Sequence, residues 1–283
     1  MSKSPTREFY LGVFCLRHLD TSSRWQTAAD AGFTGISVSW AEVLELRRQG
    51  ISPREMRGRA DSLGLQLTQL EYVSLMSEQS PTALATLYKE MANVANVLGC
   101  SDVTSVGKLD DGFPVPPPQD QPIDQRVIDN YGLLCDVCAT AGLQATVEFM
   151  PYATSVDTLS RAVALMDSTS RGNAKLILDA IHFFRAGADW EGLSQLDISR
   201  VHTVQLNDGL QQRPTDSYVT ESLTLRRCPG EGELDLRRFL QAVSDFTSPF
   251  TVEVLSSELS DMPPVEAADR MMTATSGVFA EVE

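Results

Sequence analysis

Eight times along this chain a short apolar run of strand character gives way to a segment with helical spacing. No other feature limits the fold as tightly. The strand-like runs fall at residues 9–17, 34–40, 65–73, 102–108, 143–149, 174–180, 201–209 and 249–255. Helical patterns occupy about 22–31, 41–50, 52–64, 81–98, 120–141, 155–168 and 190–195, the helix of the seventh unit follows residues 226–236, and a closing helix starts near Pro263. Ser52 and Pro53 read as the cap and first residue of one of these helices. The turns "AGF", "LGL", "LGC" and "AGL" place a glycine where a helix hands over to the next strand. Eight such pairs in 283 residues match the arithmetic of a single (βα)8 TIM barrel spanning 1–283. An open doubly wound sheet would need a glycine-rich turn after the first strand, and "CLRHLDTSS" has none. The proline-rich "FPVPPPQDQP" is short enough to be a loop at the active-site rim.

Composition removes several classes of partner. The formal charge of −15 repels phosphate backbones, and no local basic patch offsets it, so a nucleic-acid partner is not expected. No run of about 18 apolar residues marks a membrane span. The opening "MSKSPTREFYLGVF" lacks the apolar stretch of a signal peptide, so a cytoplasmic location is expected. Five scattered cysteines fit reduced thiols. The "CDVC" pair, Cys135 and Cys138, lies inside a helical pattern and reads as core rather than as a metal or redox site.

In a barrel the chemistry sits where the strands end. Glu148, Asp179, Gln205 and Glu253 stand at those ends in strands five to eight, each after an apolar run. One carboxylate in such a place is ordinarily a loop entry or a helix cap. Three in a partly dry site repel one another and must take up protons or share a cation. One divalent metal ion held by Glu148, Asp179, Gln205 and Glu253 relieves that repulsion. An all-oxygen set suits Mn²⁺ or Mg²⁺ better than Zn²⁺. Arg17, Glu71 and Lys108 end strands one, three and four, where barrel enzymes place substrate contacts. His182, three residues past Asp179, can face the same cavity, whereas His202 sits deeper and reads as a residue of the barrel floor. The aromatics Trp40, Tyr72 and Phe149 suit a pocket wall or the core equally well.

These residues resemble those of the xylose isomerase-like, or sugar phosphate isomerase/epimerase, barrels. The resemblance is carried by Glu148 in "VEF", Asp179 and His182 in "LDAIH", the "VQLND" strand, Glu253 in "VEV" and the "RRCPGEGELDL" loop. It implies metal binding by the four strand-end residues and a substrate hydrogen bond from His182. It also implies an anion or hydroxyl anchor in Arg226. Asp208, in the "VQLND" segment, joins the expected substrate contacts. One departure stands out: Gln205 occupies the place where many members keep a metal-binding histidine, and certain 3-dehydroshikimate dehydratases resemble this chain in that respect.

The expected activity is isomerisation or epimerisation of a sugar, polyol or cyclic ketone through an enediolate. Glu148 and Glu253 would act as base and acid on opposite sides of the substrate. The alternative is a lyase of the dehydroshikimate or ketoinositol type, in which the same enediolate expels a β-hydroxyl. A barrel that binds a ligand without catalysis is the third reading, and the His-rich endonuclease branch of the fold is disfavoured by three histidines and the negative charge. Barrels of this family often pair, so a homo-oligomer is among the expected assemblies.

Overall fold

A computed structural model describes residues 7–107, 122–151, 153 and 155–282. The first half of the chain gives β1 (Phe9–Leu11), α1 (Thr21–Asp30), β2 (Gly35–Ser39), α2 (Trp40–Arg48), α3 (Pro53–Ser62), β3 (Gln66–Ser74), α4 (Pro81–Leu98) and β4 (Asp102–Val106). Then follow α5 (Gln125–Thr140), β5 (Gln144–Glu148), α6 (Leu159–Thr169), β6 (Ala174–Asp179), α7 (Ala180–Arg185), α8 (Trp190–Gln195) and β7 (Val201–Leu206). The chain closes with α9 (Tyr218–Thr224), α10 (Leu236–Ala242), β8 (Phe250–Val252), α11 (Ser257–Ser260) and α12 (Pro264–Val282). The strands form a closed parallel barrel in chain order, with β8 pairing back onto β1. This is the (βα)8 architecture that the alternation predicts. Among the described residues no helix is long and apolar enough to cross a membrane.

Local chemistry explains the element boundaries. Ser52 caps α3 by accepting from the Glu55 backbone N–H, Glu55 returns the bond to Ser52 N, and Pro53 takes the first helical position. Gly99 ends α4 at φ +84°, a left-handed conformation that costs other residues strain. The matching glycines of the other three turns, Gly32, Gly64 and Gly142, also have positive φ.

The differences from the sequence reading concentrate at the barrel mouth. β1 stops at Leu11, where the apolar run extended to Arg17, because residues 13–18 form turns and Leu16 sits at φ +53°. β8 stops at Val252, which leaves Glu253 on the first loop residue. Helix α7 was hidden inside the "LDAIH" run. The Asp179 carboxylate starts it at once by accepting from His182 N at 3.0 Å.

The strand pleat sorts side chains to two sides. Ala145, Val147, Leu176, Leu178, Val204 and Leu206 join the main core with Tyr131, Leu134, Leu165 and Phe183 of the surrounding helices. The alternate positions carry Thr146, Glu148, Asp179 and Gln205. All five cysteines are free and buried, and burial pushes the Cys135 and Cys138 thiols up to about 12, so both stay protonated as core residues.

The floor of the barrel holds a separate polar knot. Asp102, fully buried, accepts from Thr146 Oγ1 at 2.7 Å and from Gln69 Nε2, Thr104 Oγ1 and Ser101 Oγ at 3.3 Å. His202 Nε2 lies 3.3 Å from its Oδ1, which bears out the floor position expected of this histidine. Burial alone would lower the His202 pKa, but the hydrogen bond and charge of Asp102 outweigh it and raise it above 6.5. The folded chain therefore holds this proton more tightly than the unfolded chain. That stabilisation is complete below the ordinary imidazole range and is lost as pH rises through the raised value. In urea unfolding between about pH 6 and about pH 9, the wild type should lose stability relative to His202→Gln, which has no such proton to release.

Candidate metal and active site

All four strand-end candidates lie at the C-terminal mouth. Glu148 is the last residue of β5 and Asp179 the last of β6. Gln205 is the register partner of Asp179 on β7, and Glu253 follows β8, its N–H bonded to Leu206 O. Each is at least nine-tenths buried, with Asp179 and Gln205 fully so.

Arg226 ties two of them together. Its Nη1 donates to Asp179 Oδ2 at 2.9 Å and to Glu253 Oε2 at 3.1 Å, while its Nε and Nη2 are seated on Ser222 O and Oγ. A guanidinium can hold two carboxylates in this way because its donors are planar and permanently charged. On the opposite flank, His182 Nε2 stands 3.2 Å from Glu148 Oε1. Ligand atoms of Glu148, Asp179 and His182 all lie within 4.8 Å of one another. Asn207, two residues beyond Gln205, donates to Asp179 Oδ2 at 2.8 Å and accepts from Ile181 N, which fixes the carboxylate against the start of α7.

The electrostatics show what this grouping costs. Burial drives the Glu253 carboxyl well above its usual range against the pull of Arg226, and Glu148, Glu71 and Asp179 push it the same way. Burial opposes the charge on Asp179 too, but Arg226, His182 and the bonds from His182 N and Asn207 hold its pKa below the ordinary value. Glu71 adds to the crowd from within β3. Burial raises it to about 8 despite a hydrogen bond with Ser37, and Glu148 contributes in the same direction.

Gln205 carries the complementary signal. Both its Oε1 and its Nε2 lack a hydrogen-bond partner among the described residues, although the side chain is fully buried. An amide in that state costs roughly 1–3 kcal/mol. The residues present therefore fit a divalent cation: carboxylate oxygens in excess of positive charge, with an amide oxygen beside them. Glu253 is not among the three residues whose ligand atoms lie within 4.8 Å of one another, and both nitrogens of His182 already face partners, Glu148 and Tyr218.

The remaining candidates divide. Glu71 is brought to the cluster electrostatically, and its Oε1 also lacks a partner among the described residues. Asp208 is buried, and both its oxygens are engaged by backbone N–H groups of Gly209, Gly230, Gly232 and Leu234, so it shapes the "PGEG" loop. Arg17 is exposed on the turn after β1, in a depression it shares with Asp20, Arg24, Ser39 and Glu42. Lys108 lies outside the described residues. Phe149 is buried in the core, while Tyr72 is 37% exposed and meets Phe14 edge-on at 6.1 Å. Sequence reasoning named no role for Tyr218, Ser222 or Ser37. Asn207 had a signal in its two-residue offset from Gln205, but Tyr218 and Ser222 lie in irregular sequence that has no period to read.

A closed (βα)8 barrel with acidic and amide groups gathered at its C-terminal mouth defines a class of scaffold, and comparison with known proteins narrows it. The chain belongs to the xylose isomerase-like TIM barrel family, whose pattern it matches over residues 25–274. It is 24% identical over 220 residues to an inosose isomerase of Bacillus subtilis, covering 77% of this chain and 76% of that one. A crystal structure of a protein named IolI with a bound zinc atom superposes with a TM-score of 0.82 at 19% identity, covering 98% and 99% of the two chains. A probable 3-DHS dehydratase, AsbF of Bacillus anthracis, superposes with a TM-score of 0.72 at 17% identity, covering 96% and 98%. At these identities the structural likenesses establish the fold alone.

The orphaned amide gives a clean test. Gln205→Leu removes an unsatisfied buried group at nearly constant volume, so the metal-free variant should melt no lower than the wild type. Added Mn²⁺ should raise the melting temperature of the wild type and leave that of Gln205→Leu nearly unchanged. Differential scanning fluorimetry with and without metal reads both arms.

Proposed function

We propose that this chain is a divalent-metal-dependent isomerase or epimerase acting on a sugar, polyol or cyclic polyhydroxylated ketone. The observation that carries the reading is the buried Gln205 amide, without a partner among the described residues, at the same mouth as Asp179, Glu148 and Glu253. Glu148, Asp179, Gln205 and Glu253 would hold the metal, with Mn²⁺ or Mg²⁺ favoured by the oxygen donors. When bound, such an ion polarises a carbonyl oxygen and offsets the negative charge that develops on it. The inosose isomerase relative supports a polyhydroxylated ketone as the substrate class.

The residues of the chain supply the rest of the chemistry. Glu148 and Glu253 arrive from β5 and from the loop after β8, so they flank a substrate carbon from different sides and can remove and return its proton. Arg226 restrains Glu253 and Asp179 through one shared nitrogen, which preserves the spacing of the two flanks. His182 backs Glu148, its Nε2 3.2 Å from Oε1. Near-complete burial of this group keeps water away from the enediolate and strengthens each charge interaction.

A lyase is the second reading, favoured by Gln205 in the place where many members keep a histidine and by the likeness to the probable dehydratase. One experiment separates the readings: incubation with ketoses, inososes and 3-dehydroshikimate in D₂O, followed by NMR. Deuterium entering next to the carbonyl without loss of water supports the isomerase. Loss of water with a new alkene or aromatic signal supports the lyase. No turnover across the panel, together with no bound divalent metal on elemental analysis, would leave a ligand-binding barrel. On whichever substrate is turned over, Glu148→Gln and Glu253→Gln should each lower kcat by about 100- to 10,000-fold.

A further inference from the structure

Tyr218 opens α9, in the irregular segment between β7 and β8, far in sequence from the other groups at the mouth. Its ring is buried and packs with Val106, Met150 and Ala153 in a small cluster apart from the main core. Its hydroxyl lies 2.7 Å from His182 Nδ1. The same imidazole, 1% exposed, places Nε2 at 3.2 Å from Glu148 Oε1. Three buried groups thus stand in a row, phenol, imidazole and carboxylate, and the row ends on a proposed acid–base residue.

The chemistry of the two ends assigns the middle. A hydrogen on Nε2 lets the ring donate to the Glu148 oxygen it faces at 3.2 Å, whereas the opposite tautomer sets a bare nitrogen lone pair against that oxygen. In a neutral imidazole the other nitrogen is then an acceptor, and the Tyr218 hydroxyl is the donor that suits it. The geometry points to Tyr218 as a positioning residue: it donates to His182 Nδ1, holds that ring in the Nε2–H tautomer and so keeps a hydrogen bond on Glu148. The α9 segment is thereby coupled to the acid–base machinery without touching the reacting atoms. The effect on turnover rests on the role proposed for Glu148, whereas the tautomer assignment stands apart from it.

The chain has three histidines, so nitrogen-15 NMR of the full-length protein resolves each ring, with His182→Asn identifying its signals and His18 and His202 reporting that the fold is intact. The wild type should show a protonated His182 Nε2 and an unprotonated, hydrogen-bonded Nδ1. In Tyr218→Phe, which keeps the ring in its apolar cluster, the Nδ1 resonance should move toward that of a free ring nitrogen. On a turned-over substrate this variant should lose about tenfold in kcat with KM within about twofold, and the loss should vanish in the His182→Asn background. A proton on Nδ1 in the wild type, or a His182 spectrum unchanged by Tyr218→Phe, overturns the assignment even if the enzyme is active. Failure of the substrate panel with the predicted spectra would instead count against the catalytic reading alone.

Discussion

Electrostatic repulsion among buried carboxylates at one end of the barrel is the constraint on which the site depends. Glu148, Asp179 and Glu253 converge there, Glu71 adds its charge from within β3, and Arg226 is the guanidinium that bridges two of the group. Desolvation makes every unshared negative charge expensive. The protein answers by driving Glu253 and Glu71 toward their protonated forms and by fastening Asp179 with Arg226, Asn207 and the start of α7. A scaffold that ties its carboxylates so firmly, yet leaves the Gln205 amide without a partner among the described residues, fits the cation site proposed for it.

The contrast with the barrel floor supports that view. Asp102 is as deeply buried as Asp179, but hydroxyls, an amide and His202 surround it, and its network is a structural device. Removing a partner there exposes a cost of folding. At the mouth, the Gln205 amide has no such partner among the described residues. The two ends of one barrel thus separate stability from chemistry, as the placement of active sites at the C-terminal face of this fold implies.

Much of this was legible in the sequence because the pleat and the helix turn leave periods in it. The alternation gave eight strands in order, and the position of Glu148, Asp179, Gln205 and Glu253 at the ends of their apolar runs placed them on one rim. What the sequence withheld is contact across the chain. That Arg226 reaches both Asp179 and Glu253, that Tyr218 reaches His182, and that the Asp208 carboxylate gathers four loop amides depends on how irregular segments cross the mouth. Such paths follow hydrogen-bond satisfaction rather than periodicity. The start of α7 was obscured for a related reason: one capping carboxylate turned the end of an apolar run into a helix.

The three carboxylates and Gln205 are proposed to form one cation site. A crystal soaked in Mn²⁺ and measured for anomalous scattering tests it most directly. A single cation site gives one strong anomalous peak with Glu148, Asp179, Gln205 and Glu253 oxygens as its protein ligands, at about 2.0–2.3 Å. A mouth without such a peak, or a peak that leaves Gln205 out of its coordination, rules that site out.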